Sequence, residues 1–319
     1  VNYSFMIYIY IYMNNWNPIY FNNNSLNSSS NYIKELSEGK YSCIIIKNLI
    51  NKDICEELVK HLVNKKILNK NLDFNNFNNF DFRKNSTLSD IGLTLDNQTW
   101  IKSDMNIYWK QTQKVNIFME DLFNAASVNP FNIFIDTIKN ICNKKYEIEL
   151  MKYNDYCTYK GIIRVHNINK NTSFPYHTDG FNYGIFSNGG ISDCIKSQIP
   201  VSDSKYKTNS VCAALFIMKQ SKNLKNIDLY NCLVNDLEEY KDKLNGRSHR
   251  VGTKYANHKL LEKILSKKSK YTPLLETGDM YIFSASRIHK LNNILGNKRI
   301  VIATFFCIDD VDKKITLYQ

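Results

Sequence analysis

A histidine and an aspartate one residue apart stand in the segment "SFPYHTDGFNYG", residues 173–184. Alternate residues of an extended strand project to the same face, so His177 and Asp179 can hold one ion between them. An imidazole with a carboxylate suits Fe(II) or Mn(II) better than a metal that prefers thiolates. The spacing therefore predicts two ligands of a metal site, and a third must come from another part of the chain.

The third ligand is predicted in the segment "TGDMYIFSASRIHKLNNILGNKRIVIATFF", residues 277–306. A Gly-Asp turn leads there into an apolar strand, His289 follows, and Arg299 stands ten residues later. We expect a hairpin centred near Gly296, which would put Arg299 on the order of 13 Å from His289 at about 3.3 Å per residue. A short dicarboxylate that chelates a metal at His289 would then reach the Arg299 guanidinium, which binds carboxylates in a bidentate manner and keeps its charge.

The H-x-D pair, the distant histidine and a basic residue ten positions beyond it resemble the motif of the Fe(II)- and 2-oxoglutarate-dependent dioxygenase superfamily. The run "GDMYIF", the following histidine and "GNKR" resemble that superfamily's second-histidine strand and its return. The run "IIIKNLINKDICEELVKHL" resembles the N-terminal strand and helix of the prolyl 4-hydroxylase-like branch. Together these matches cover residues 41–66 and 157–309. A phytanoyl-CoA-hydroxylase-like branch is the alternative, and the motifs leave the branch open.

The resemblance implies a role for each of these residues. His177, Asp179 and His289 would be the iron ligands, and Arg299 would hold the distal carboxylate of 2-oxoglutarate. Members of the superfamily couple the oxidative decarboxylation of 2-oxoglutarate by dioxygen to the oxidation of a substrate. Members that halogenate resemble this pattern with a small residue in place of the aspartate, so Asp179 favours hydroxylation or a related oxidation.

The second contact to 2-oxoglutarate is left open by the sequence. The superfamily often has Ser or Thr two residues after the basic residue, where this chain has Val301. The segment before H-x-D offers Arg164, His166, Asn167 or Tyr176 instead. We predict cofactor contacts from His166 and Arg164, although His166 could be an interior histidine and Arg164 could contact an acidic substrate.

Each of these residues also has an ordinary structural interpretation. His177 and Asp179 could belong to a polar turn or a helix cap, and Arg299 could lie on the surface of a Lys-rich chain. Arg299, however, shares a strand face with Val301 and Ala303. An arginine among apolar side chains that face inward needs an anionic partner.

The elements that must position these residues follow from the hydrophobic pattern. β-branched runs predict a strand at 41–50 and four more at 157–168, 209–220, 279–286 and 299–309. Helical spacing predicts helices at 51–68, 115–145 with a break at Asn129-Pro130, and 233–270 around a basic loop. The pattern predicts a mostly β fold with flanking helices, and the resemblance implies a double-stranded β-helix, or jelly-roll, core.

One oxygenase domain is predicted over residues 37–319, after a variable N-terminal extension over 1–36. The domain would comprise a helical part at 37–150 and a jelly roll at 151–319 with a helical insert at 222–270. The insert and the N-terminal region could form a lid over a small substrate. The apolar run from Phe5 to Met13 is too short to span a bilayer, so we expect no membrane association, and the sequence leaves open whether residues 1–12 are native.

Composition narrows the partners and the compartment. The 319 residues carry a net charge of +12, but only six of the 42 basic residues are Arg. The excess of Lys indicates a compositional drift towards A/T-rich codons and not a surface that binds phosphates. Nucleic acid is therefore not expected as a partner. The eight Cys stand singly without a C-x-x-C pair, which argues against a zinc ribbon. Single cysteines are typical of a reducing setting, and we expect a cytoplasmic protein.

The sequence thus predicts an Fe(II)- and 2-oxoglutarate-dependent oxygenase that hydroxylates a small molecule such as an amino acid or a metabolite. A prolyl-type hydroxylase of protein side chains is one alternative. A non-catalytic jelly-roll binding module is the other. The substrate, the position oxidised and the oligomeric state are left open.

Overall fold

A computed structural model describes residues 16–22, 31–75, 88–92, 105–153, 155–166, 174–178, 211–221, 225, 227–240, 244, 258–292, 298–310 and 312–318. The helices are α1 (Tyr32–Ser37), α2 (Lys52–Asn64), α3 (Met105–Asn124), α4 (Pro130–Ile141) and α5 (His258–Leu265), with a 3-10 helix at Val234–Tyr240. The strands are β1 (Ile19–Asn22), β2 (Ile44–Lys47), β3 (Leu88–Ile91), β4 (Glu147–Leu150), β5 (Lys152–Tyr153), β6 (Tyr156–Cys157), β7 (Ile162–His166), β8 (Phe174–His177), β9 (Val211–Lys219), β10 (Ile227–Leu233), β11 (Lys270–Tyr271), β12 (Met280–Ser284), β13 (Arg287–Leu291), β14 (Arg299–Asp309) and β15 (Lys314–Tyr318).

Two sheets dominate the described part of the chain. The larger sheet has the order β1-β2-β12-β9-β14-β15-β4, with β7 added to β14 and β3 added to β7. The smaller sheet has the order β11-β10-β13-β8, and β5 pairs with β6 separately. The mostly β fold with flanking helices and a jelly-roll core is confirmed.

The inner faces of the two sheets meet where β12 lies opposite β13. Tyr281 and Phe283 alternate along β12 and project to one face, where their rings stack with centroids 5.9 Å apart. The Phe283 ring lies edge-on to the imidazole of His289 on β13, at 4.9 Å between centroids. An aromatic row on the larger sheet therefore contacts the histidine-bearing strand of the smaller one.

The hairpin expected near Gly296 is wrong. Strand β13 pairs with β10 and β8 in the smaller sheet, whereas β14 pairs with β7, β9 and β15 in the larger one. Residues 293–297, between them, lie outside the described residues. His289 and Arg299 are therefore related across the space between two sheets, so the distance derived from strand rise along a hairpin does not apply.

The predicted helices form where capping residues allow it. The Asn51 side chain accepts a hydrogen bond from the Asp53 backbone N–H at 2.8 Å and caps α2, whose apolar side is buried. The predicted break at Asn129-Pro130 separates α3 from α4, because Asn129 caps α4 and Pro130 occupies its first position, where no intrahelical N–H is needed.

The Gly-Asp turn before β12 ties that strand to β2. The buried Asp279 carboxylate accepts hydrogen bonds from the Lys47 ammonium at 2.5 Å and the Asn48 backbone N–H at 3.0 Å. Gly278 has φ +95°, and a Cβ there would lie 2.4 Å from the Ile50 carbonyl oxygen. The turn therefore requires glycine at this position. The same turn fixes the start of β12, the strand that carries Tyr281.

Two predicted peripheral regions contribute strands to the sheets. Residues 19–22, within the predicted N-terminal extension, form β1 parallel to β2. Residues 227–233, within the predicted insert, form β10, which pairs with the histidine-bearing β13. The domain boundaries themselves stay a prediction.

Six of the seven described cysteines are buried, and none of the seven forms a disulfide. The segment around Cys194 lies outside the described residues. Among the helices that the structure describes, none combines the length and the apolar character needed to cross a membrane.

Candidate active site

His177 and His289 face each other across one strand pair of the smaller sheet. They are direct partners in the antiparallel pairing of β8 with β13. Their ring centroids lie 4.2 Å apart, with the ring planes inclined by 54°. His289 is buried and His177 is partly exposed. Two predicted ligands from distant parts of the sequence are therefore brought together, on the face that contacts Phe283.

The backbone of β13 sets the tautomer of His289. Its Nδ1 lies 3.0 Å from the Arg287 carbonyl oxygen. A carbonyl only accepts, so Nδ1–H is the donor, and Nε2 of the neutral ring keeps its lone pair. This is the form in which imidazole binds a metal, with the other ring nitrogen held by a backbone acceptor.

Asp179, the predicted carboxylate ligand, lies outside the described residues. Within the described ranges, no group of three or more His, Cys, Asp or Glu side chains could hold a metal ion. The described part of the site therefore supplies an imidazole pair. Such a pair fits Fe(II) once a carboxylate completes it.

Arg299 lies on the inner face of the larger sheet and is fully buried. Its Nη2 donates to the Tyr281 hydroxyl at 3.1 Å, and its Nη1 lies 3.5 Å from His166 Nε2. Its Nε has no hydrogen-bond partner among the described residues. A buried guanidinium with neutral hydrogen-bond partners and an open N–H fits a ligand carboxylate, which is what the predicted 2-oxoglutarate site requires.

His166 is the direct cross-strand partner of Arg299 in the pairing of β7 with β14. Burial lowers the pKa of its imidazole well below the usual 6.5, and the charges of Arg299 and Arg164 lower it further. A neutral imidazole can accept a hydrogen bond, so Nε2 can receive the Arg299 Nη1–H. His166 thus contacts the predicted anion-binding arginine without adding a second charge.

Arg164, the other predicted cofactor contact, is bound by a carboxylate of the protein. Its Nε and Nη2 donate to the two oxygens of Asp90 at 2.7 and 3.3 Å. Asp90 is fully buried and stands directly opposite Arg164 in the pairing of β3 with β7. This bidentate ion pair compensates the charge of Arg164, and a contact from Arg164 to a cofactor or an acidic substrate stays a prediction.

Tyr281 is the residue of this site that sequence reasoning missed. Its position in the apolar run "MYIF" predicts only a strand residue, and no neighbouring residue indicates that its hydroxyl makes a functional contact. One candidate for the second contact lies away from this site: Tyr176 packs against Tyr230 in a separate hydrophobic cluster, with ring centroids 5.7 Å apart. Another candidate, Asn167, lies outside the described residues.

Comparison with known proteins gives one family and one fold. The family model described as carrier-protein-independent halogenase WelO5 matches residues 15–319. Among solved structures, an N-substituted L-amino acid dioxygenase from Burkholderia ambifaria, in complex with alpha-KG, is 9% identical with a TM-score of 0.50 over 90% of each chain. HygX from Streptomyces hygroscopicus, with nickel and 2-oxoglutarate bound, is 10% identical with a TM-score of 0.42 over 88% of this chain and 87% of that chain. No curated protein matches the sequence.

Proposed function

We propose that this chain, which belongs to the family described as carrier-protein-independent halogenase WelO5, hydroxylates a small molecule and does not halogenate it. Members of this family are Fe(II)- and 2-oxoglutarate-dependent enzymes. Fe(II) and 2-oxoglutarate are its cofactors. With dioxygen they supply the oxidising power for the attack on an unactivated C–H bond. The residues of the chain bind and orient these cofactors and the substrate, and they shield the site from water.

The observation that carries this proposal is Asp179, two residues after His177. A halogenating enzyme needs a coordination position for the halide, and a small residue leaves that position empty. A carboxylate at the same place occupies the position and repels a second anion. Asp179 therefore supports hydroxylation within a family that is described as a halogenase.

His177, His289 and Asp179 are the proposed iron ligands. The strand pair holds the two imidazoles against each other, and the hydrogen bond from His289 to the Arg287 carbonyl would leave Nε2 available to hold the metal. Phe283, edge-on to His289, excludes water from one side of that ring.

Arg299 and Tyr281 are the proposed ligands of the distal carboxylate of 2-oxoglutarate. The open Nε–H of Arg299 and the Tyr281 hydroxyl would both donate to it, and Tyr281 supplies the hydroxyl that Val301 cannot. His166, as a neutral acceptor, would orient the guanidinium. The site would then match one carboxylate with one positive charge.

A free small molecule is the proposed class of substrate. The family is described as independent of a carrier protein, and an enzyme that needs no carrier protein acts on an untethered compound. A protein side chain is the alternative. Screening free amino acids and short peptides for stimulated conversion of 2-oxoglutarate to succinate would separate the two classes.

The cellular compartment of the protein, expected to be the reducing cytoplasm, stays a prediction.

An anaerobic titration tests the proposed site without knowledge of the substrate. Wild-type protein with Fe(II) and 2-oxoglutarate is expected to develop the weak visible charge-transfer band of the chelate. His177→Ala should abolish the band, Arg299→Ala should require much more 2-oxoglutarate, and the control His61→Ala, on helix α2, should keep it. A folded wild-type protein without the band would refute the proposal.

A halide arm tests hydroxylation against halogenation. Chloride or bromide should leave the wild-type band unchanged, because Asp179 occupies the halide position, whereas Asp179→Gly should give a band that shifts with added halide. A wild-type band that shifts with halide would indicate halogenation.

A further inference from the structure

The smaller sheet has a hydrophobic core of its own on its outer face. This outer core is separate from the main core and is built from strands β8, β10 and β13, the 3-10 helix and helix α5. Its buried members are Tyr176, Tyr230, Cys232, Leu237, Leu261, Ile264, Leu265 and Ile288. Helix α5 and the 3-10 helix both come from the predicted insert, so the insert covers the outer face of this sheet.

Each proposed iron-binding histidine directly follows a residue of this outer core. Tyr176 precedes His177, and Ile288 precedes His289. Adjacent strand residues project to opposite faces, so the imidazoles lie on the inner face while Tyr176 and Ile288 pack outward. The described helix of the insert therefore lies behind the imidazoles, on the side away from Phe283.

Strand β8 depends on this outer packing for its position. Within the described residues it is an edge strand that pairs only with β13, and its register shifts between the pairs at His289 and Leu291. Such a short ladder leaves an edge strand free to slip. On the outer face, Tyr176 donates to Glu262 of α5 at 3.3 Å, and Lys290 lies over its ring at 4.9 Å from the centroid.

We propose that helix α5 is a backing element that positions the two iron-binding imidazoles, with Leu261 and Tyr176 as positioning residues. Leu261 is fully buried in the outer core and packs behind the strands that carry both histidines. This inference rests on the proposed metal site and assigns to α5 a role different from the expected lid. The insert would act on iron binding through the sheet and would not contact the substrate.

The test compares two buried leucines truncated in the same way. Leu261→Ala opens a cavity in the outer core, and Leu58→Ala, on α2, opens one in the main core. Fe(II) is titrated anaerobically at saturating 2-oxoglutarate, at a temperature where both variants are folded. We expect Leu261→Ala to bind Fe(II) about tenfold more weakly, the loss typical when groups that orient metal ligands are removed, and Leu58→Ala to bind it like the wild type.

Two further measurements separate positioning from general loss of stability. The visible spectrum of bound Co(II) should change in Leu261→Ala but not in Leu58→Ala, and Leu261→Met should restore both spectrum and affinity. If Leu261→Ala does not fold, Ile288→Val, which removes one methylene next to His289, should weaken Fe(II) binding in the same direction. Equal Fe(II) affinities in Leu261→Ala and Leu58→Ala would overturn the inference. A wild-type protein that binds no Fe(II) would instead overturn the proposed metal site.

Discussion

Arg299 carries a positive charge into the interior, and its partners among the described residues are neutral. It donates to the Tyr281 hydroxyl and lies within reach of His166, which burial keeps uncharged. A guanidinium buried without a counter-charge costs free energy that a ligand carboxylate would offset. At the residue scale, this place in the sheet favours a ligand with a carboxylate over a neutral ligand.

Removing the Tyr281 hydroxyl tests that preference. Tyr281→Phe should weaken 2-oxoglutarate binding by roughly tenfold, because a hydrogen bond to a charged group contributes about 1.5 kcal/mol or more. The measurement is the dependence of the charge-transfer band on the concentration of the keto-acid. Pyruvate, which lacks the distal carboxylate, is the control and should bind both proteins alike. An equal loss for both keto-acids would mean that Tyr281 only supports the fold.

At the element scale, local patterns predicted the elements and distant contacts decided their partners. The predicted strand at 279–286 matches β12, and the predicted helix break at Pro130 separates α3 from α4. Both were predictable because residue spacing and helix capping are local properties. The sheet to which β13 belongs was not, since a strand's partners depend on residues far along the chain. The same limit hid Tyr281, which reaches Arg299 although β9 lies between their strands.

The Gly278 turn offers a test at this scale. Gly278→Ala should lower the free energy of unfolding by about 1–3 kcal/mol, because the residue has φ +95° and the new Cβ would approach the Ile50 carbonyl oxygen at 2.4 Å. Urea unfolding monitored by circular dichroism measures the change.

Asn48, on the adjoining turn, is the matched control. It also has positive φ, +51°, and its side chain is exposed, so Asn48→Gly should be neutral or slightly stabilising. Equal losses for Asn48→Gly and Gly278→Ala would show that the turn tolerates no change of any kind and that backbone strain is not the reason.

At the scale of the whole molecule, the two histidines proposed to bind iron, His177 and His289, lie between two separately packed cores. The main core lies under the larger sheet with α2, α3 and α4, and the outer core lies behind the smaller sheet. The inner faces of the two sheets carry the polar groups of the site. Stability of the entire fold is therefore coupled to the ionisation of groups buried between the sheets.

His166 makes this coupling measurable. Its pKa is lowered in the folded state, so below about pH 6.5 the unfolded chain binds a proton that the folded protein does not. The free energy of unfolding should fall as the pH decreases from there, by at most about 1.4 kcal/mol per pH unit for this one group. His166→Gln should reduce the pH dependence of urea unfolding between pH 7 and 5, and an unchanged slope would contradict the assignment.

The buried cysteines have a consequence for an enzyme that activates dioxygen. Turnover without substrate releases oxidants that attack thiolates first. Burial raises the pKa of Cys43, Cys55, Cys142, Cys232 and Cys307 to about 12, so almost none of each thiol is ionised at neutral pH. Idle catalytic cycles would therefore damage these sulfur atoms slowly, and this part of the interior is protected against the enzyme's own chemistry.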